Sequence, residues 1–274
     1  MEKFQLSVLF KIIGIGSASG LLYHNDLLYI ISDSSTYLYE YNIEKENLNK
    51  IAIVDSAQEN IAKKDKPDFE AIALKGKNLH LFGSGSTVNR NRIFKYNLKS
   101  GKIKEKDISD IYLKIKKLYN IAADELNIEG VILNGESILL FQRGNGYTAK
   151  NGIIYANDDG ENLESKFIPF DLPKIKNVPT TFTDAILVDE TIYFLAAAED
   201  TRSTYEDGEV LGSIIGTIDL KTMKLTNSIQ ISDKHKFEGL TLYKKTATQI
   251  ELLLCEDNDT DKLASVIYKL IIEL

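Results

Sequence analysis

Ser19-Gly20-Leu21-Leu22, Glu70-Ala71-Ile72-Ala73, Glu129-Gly130-Val131-Ile132, Asp184-Ala185-Ile186-Leu187 and Glu238-Gly239-Leu240-Thr241 are one phrase written five times. Each opens on an oxygen-bearing side chain, continues with glycine or alanine, and runs into an apolar strand. The phrases are 51, 59, 55 and 54 residues apart. After each comes a turn, such as Lys75-Gly76-Lys77-Asn78, and a second apolar run: Leu27–Ile31, Leu79–Phe82, Ile138–Phe141, Thr191–Ala196 and Ile250–Leu254. A polar loop and a third strand follow. The first four units add a fourth strand, at Leu48–Val54, Lys102–Ile108, Lys166–Phe170 and Leu225–Ile231. Four short strands in a repeat of about fifty residues make a propeller blade.

The fifth unit ends without a fourth strand, and the chain ahead of Ser19 has no unit of its own. There Phe4, Leu6, Val8 and Phe10 alternate with Gln5, Ser7 and Lys11, which is strand patterning. Phe4–Ile13 is therefore expected to supply the outer strand of the last blade and close the ring. The polar interruptions also argue against a signal peptide. The expected fold is all-β: one five-bladed β-propeller of four-stranded antiparallel blades spanning residues 1–274. The blades fall at about 19–55, 70–108, 129–171, 184–232 and 238–274 plus 4–13. Asp110 to Leu118 breaks the pattern with apolar residues at helical spacing, which predicts one short inserted helix capped by Ser109.

Composition narrows the function classes. The net charge of −7 disfavours a nucleic-acid groove, and no apolar run reaches the ~20 residues that span a bilayer. A single cysteine, Cys255, rules out an intrachain disulfide framework and fits a cytoplasmic address.

In a propeller the first strand of each blade lines the axis. Five repeats should then bring Ser19, Glu70, Glu129, Asp184 and Glu238 into one ring. Four carboxylates at such spacing need compensation: protons, an inward-reaching Lys or Arg, or a bound cation. Five hard oxygen donors with room for water suit Ca²⁺. The alternative is that these acids simply accept hydrogen bonds from backbone N–H groups of neighbouring strands.

The loops between second and third strands should share the ring's mouth. The chain has four arginines against 29 lysines, and all four, Arg90, Arg92, Arg143 and Arg202, are assigned to those loops. Arginine forks suit phosphate or carboxylate, so Arg90, Arg143 and Arg202, with Glu199, are candidate contacts for a small anionic ligand. The alternative is pairing with loop acids. Asp33 and Asp200 are candidates for positioning water. His235, three residues before Glu238, is the histidine best placed as an acid or base.

One Ser, Glu or Asp per blade converging on the axis resembles the centre of the calcium-activated nucleotidases, the apyrase propellers. That resemblance implies the fold and a central calcium. It also implies an uncharged oxygen where Asp184 stands, and Thr183 offers one. The strings Lys66-Pro67-Asp68-Phe69-Glu70-Ala71, Gly83-Ser84-Gly85-Ser86, Asn127-Ile128-Glu129-Gly130, Gln142-Arg143-Gly144-Asn145 and Ala198-Glu199-Asp200-Thr201 resemble an uncharacterised bacterial propeller family grouped with phytase-like propellers. Two functions are therefore expected. One is a calcium-binding propeller whose mouth takes a small anion and hydrolyses a phosphoester. The other is a non-catalytic scaffold for protein or glycan, held by a structural ion.

Overall fold

The structure, a computed structural model, describes residues 3–157, 164–201, 208–257 and 263–274. Five antiparallel sheets surround one axis. Strand β1 (Phe4–Ile13) precedes the first blade, which is β2 (Ala18–His24), β3 (Leu27–Ser32), β4 (Tyr37–Asn42) and β5 (Asn47–Ala52). The second blade is β6 (Phe69–Lys75), β7 (Asn78–Gly83), β8 (Arg92–Asn97) and β9 (Ile103–Asp107), and helix α1 (Ser109–Tyr119) follows it. The third is β10 (Ile128–Asn134), β11 (Ser137–Gln142), β12 (Gly152–Asn157) and β13 (Ser165–Pro169).

The fourth blade has an extra two-residue strand, β14 (Lys174–Ile175), ahead of β15 (Val178–Val188), β16 (Thr191–Asp200), β17 (Glu209–Asp219) and β18 (Lys224–Ser232). The last has β19 (Phe237–Lys245), β20 (Gln249–Glu256) and β21 (Ala264–Glu273). Its fourth strand is β1, antiparallel to β21 with Phe4 opposite Ile272 and Ile13 opposite Ala264. The ring is closed as the sequence predicts. The inner strands β2, β6, β10, β15 and β19 touch in turn, and β19 returns to β2.

Period-two patterning explains why the blades stack. Along β11, Leu139 and Phe141 pack toward the fourth blade and Leu140 toward the second. Each neighbouring pair of blades shares such an apolar seam. The seam between the last and first blades takes in Ile12, Leu21, Ile30, Leu253 and Cys255. Cys255 is free and buried there, and desolvation pushes its thiol pKa well up, as expected of a core residue.

Two local expectations are corrected. Ser109 does not cap α1; it is the first helical residue, its hydroxyl accepting from Asn91 Nδ2 at 3.3 Å. Asp107 Oδ1 takes the Ser109 N–H at 2.7 Å instead. The helix rests on the second blade's loop, Tyr112 Oη donating to the Gly83 carbonyl at 3.0 Å. Arg92 is not in a mouth loop either. It opens β8, exposed, and pairs with Glu105 at 2.5 Å.

Candidate functional site

Every inner strand carries one β-bulge near its start. The pairing register slips at Ser19, Glu70, Glu129, Thr183 and Glu238. A bulge re-aims one side chain out of the ladder, so these five share an equivalent position at the axial mouth. The fourth member is thus Thr183. Asp184 occupies the place held elsewhere by Gly20, Ala71, Gly130 and Gly239. The two hydroxyls behave alike: Ser19 Oγ donates to the Phe69 carbonyl at 2.5 Å and Thr183 Oγ1 to the Phe237 carbonyl at 2.6 Å. Each ties its blade to the residue before the next blade's ring glutamate. Asp184 is a strand tie as well, accepting from the N–H of Ala185 and of Leu240, both at 2.7 Å.

At Gly130 and Gly239 the glycine after the bulge is a packing requirement. A Cβ on Gly130 would lie 2.9 Å from the Ala185 nitrogen, and one on Gly239 would lie 3.0 Å from Gly20 Cα. Backbones approach here with no room for a side chain.

Buried charge fills the mouth in two strings. On one side Arg143 lies 3.3 Å from Glu129 and 2.5 Å from Glu199. Lys236 sits 3.0 Å from Glu238, 3.6 Å from Asp257 and 3.7 Å from Glu199. Asn127 Nδ2 also donates to Glu129 at 2.6 Å. On the other side Lys66 bridges Asp33, to which it is hydrogen-bonded, and Asp68 at 3.1 Å. Arg90 donates to Asp68 at 2.8 Å, to Ser86 Oγ at 2.7 Å and to the Lys63 carbonyl at 2.9 Å.

Glu70 stands between the strings. It is 9% exposed and has neither a hydrogen bond nor an ion pair among the described residues. Desolvation, then the negative charges of Glu129, Asp68, Glu238 and Asp33, raise its pKa well above the ordinary carboxylate range. Burial likewise raises Glu238, Glu129, Asp33 and Asp184, in part offset by Lys236, Arg143, Lys66 and backbone N–H groups respectively.

The sign for stability follows. Carboxylates raised in the folded state bind protons more tightly there than in the unfolded chain, so acidification from neutrality favours folding. That contribution is full below the ordinary carboxylate range and is lost as pH rises through the raised values. Asp107 and Asp219 shift the other way but are exposed surface groups, and their effect falls at lower pH. Protein held in chelator should therefore melt higher at pH 5.5 than at pH 7.5. A flat or reversed profile would show that the cations already in the mouth compensate it fully.

The candidates read from sequence separate as follows. Ser19, Glu70, Glu129 and Glu238 are brought to one mouth, with Asp33, Glu199, Arg90 and Arg143 beside them. Asp200 is exposed at the end of β16, opposite Glu209. Arg202 lies outside the described residues. Arg90 and Arg143 are engaged by acids, each side chain 5% exposed. His235 is offset toward the last blade, with Nδ1 2.9 Å from Ser232 Oγ, Nε2 3.7 Å from Glu256, and its ring stacked on Phe237.

The sequence assigned no site role to Lys66, Asp68 or Lys236, although Lys66 and Asp68 stand in one of the family-like strings. Position in the repeat was the available signal. Asp68, Asn127 and Lys236 each stand two residues before a ring glutamate. Their carbonyls accept from the N–H of Ser84, Arg143 and Asp257, the first residues after their second strands.

The profile of the Family of unknown function (DUF6929) matches residues 14–272. No functionally curated protein matches the chain in sequence. Among solved structures it is similar to the glutaminyl cyclase of Myxococcus xanthus (TM-score 0.51, 11% identity, 98% of this chain and 97% of the other). It is also similar to a luciferin-regenerating enzyme (0.51, 9%, 98% and 95%) and to the major allergen of Malassezia sympodialis (0.52, 9%, 96% and 96%). At these identities the likeness is one of fold alone. No helix among the described residues is long and apolar enough to cross a membrane.

Proposed function

The chain belongs to the DUF6929 family, and we propose that it is a calcium-binding propeller scaffold, its ion held in the acidic mouth and its loops forming the binding surface. The observation that carries this is Glu70: a buried carboxylate among four other acids, with no ion pair among the described residues. The donors at hand are hard oxygens, the class that Ca²⁺ takes. The parallel with apyrase-like rings is part of the proposal. It rests on Ser19, Glu70, Glu129 and Glu238 sharing the bulge position with Thr183, and concerns their place at the mouth rather than which of them ligate the ion. Bound there, calcium would offset like-charge repulsion between blades and fix the mouth.

A mouth that clamps and hydrolyses a phosphoester needs forks to spare. Arg90 and Arg143 are already committed to Asp68, Glu129 and Glu199, and the acids outnumber the bases. The scaffold is therefore the better-supported reading. A cytoplasmic setting goes with it, resting on the single reduced cysteine, and there only a tight site would fill.

Elemental analysis of untagged protein should find about one calcium per chain. Calcium at a hundredfold excess over its Kd should add about 2.7 kcal/mol of stability, which raises Tm by several degrees over protein in chelator. No metal and superimposable melts would sink the proposal.

A further inference from the structure

We propose that the ion sits off the axis, on Asp33, Asp68 and Glu70, and that the Lys66 ammonium is its built-in stand-in. This rests on the calcium reading above and names the ligands for it. One carboxylate oxygen from each of the three acids lies within 4.8 Å of the others, and this is the one such group of three among the described residues. The full ring of Glu70, Glu129 and Glu238 does not meet that spacing. Asp33 comes from the end of the first blade's second strand, and Asp68 and Glu70 from the start of the second blade's first strand. The site thus bridges two blades.

Two further observations point to a cation ligand at this cluster. Asp33 Oδ1 is buried and accepts no hydrogen bond. Glu70, nine-tenths buried, brings its carboxylate to the same cluster with no hydrogen bond or ion pair among the described residues. Lys66 engages Asp33 Oδ2 and Asp68 Oδ1, and Arg90 pairs with Asp68 Oδ2, so two positive charges face three negative. Arg90 and Ser84 hold Asp68 Oδ2, which presents Oδ1 to the cluster. Asp68 is itself fixed in the left-handed region, φ 55°, its N–H donating to the Asp33 carbonyl at 3.0 Å.

The chemistry is that of a hard divalent cation. Three carboxylates with no histidine or thiol among them disfavour zinc and the softer metals. The site is partly open, so water can complete six to eight ligands at the longer distances calcium accepts. Lys66 is 14% exposed and lies at the end of a turn, its N–H donating to the Ala62 carbonyl at 3.0 Å. Its flexible side chain can swing to solvent as the ion enters, so lysine and calcium compete for the same oxygens.

Calorimetric titration of calcium into the full chain tests this with three variants. Asp33→Asn should weaken binding by about tenfold or more, since affinity follows ligand charge. Lys66→Met removes the competitor and should tighten binding by about tenfold. Glu129→Gln should change it by less than about threefold. If Glu129→Gln abolishes binding while Asp33→Asn and Lys66→Met leave it unchanged, the ion is axial: the off-axis site is overturned and the broader calcium reading survives. If the wild type binds no calcium, both fall. Lys66→Met also covers the case of an unfolded Asp33→Asn, because a gain in affinity cannot come from lost structure.

Discussion

Arg143→Met is expected to cost about 3–5 kcal/mol, the effect of removing one partner from a buried ion network. Methionine matches the aliphatic stem and removes the guanidinium, so the loss is mainly electrostatic. Glu129 and Glu199 lose their nearest guanidinium contact, and Glu238, 4.0 Å from it, loses a second cation. Lys236 alone would then face Glu199, Glu238 and Asp257. For a chain of this size such a loss lowers Tm by roughly 10 °C. The deficit should shrink as pH falls, because the stranded carboxylates can take up protons. Arg143→Lys keeps the charge but not the fork that spans Glu129 and Glu199, and should fall between. Thermal melts at pH 7.5 and 5.5 measure all of this. A loss under about 1 kcal/mol would mean the network is solvated enough to rearrange.

Gly130→Val should be as damaging for a different reason. Its Cβ would press on the Ala185 nitrogen at 2.9 Å and on Asp184 Cα at 3.1 Å, both backbone atoms of the next blade's inner strand. Neither can move without shifting that strand and its two ties to Ala185 and Leu240. Overpacking typically costs about 1–3 kcal/mol, and a backbone neighbour that cannot yield puts this case at about 3 kcal/mol. The matching change Ala71→Gly, at the same place in the second blade, should cost only about 1 kcal/mol. Denaturant unfolding of the two variants checks the contrast, and equal effects would contradict the crowding argument.

The fold was legible because its evidence is repetitive. Five copies of an oxygen-bearing residue, a small residue and an apolar run fix where every inner strand begins. A missing outer strand at one end and a spare strand at the other leave one way to close the ring. The site was legible only where chemistry and repeat position agree. Glu70, Glu129 and Glu238 stand at bulges that spacing alone suffices to locate. Asp184 looked like the fourth of that set because an acid resembles an acid, yet the register slip falls one residue earlier and gives the place to Thr183.

Lys66 and Lys236 were invisible for the opposite reason. Lysine is so frequent in this chain that two more in loops carry no signal, and only burial beside carboxylates distinguishes them. Arg143 was noticed for its rarity, but an arginine that clamps a ligand and one that restrains its own acids have the same sequence. Their difference lies in Glu199, brought within reach from the fourth blade.

The closing strand has a bearing on how the chain is made. Phe4–Ile13 is made before the rest of the ring, yet its partner β21 is made after all the other blade strands, with Phe4 opposite Ile272. At 5–20 residues per second it waits roughly 13–50 s, unpaired. Phe4-Gln5-Leu6-Ser7-Val8-Leu9-Phe10 is strongly strand-forming, carries no charge and presents free edges throughout that interval. Newly made chains are therefore most prone to pair with one another through this segment. Their yield in a cell should depend on synthesis rate and on chaperones that cover nascent chains, long before the stability of the finished ring matters.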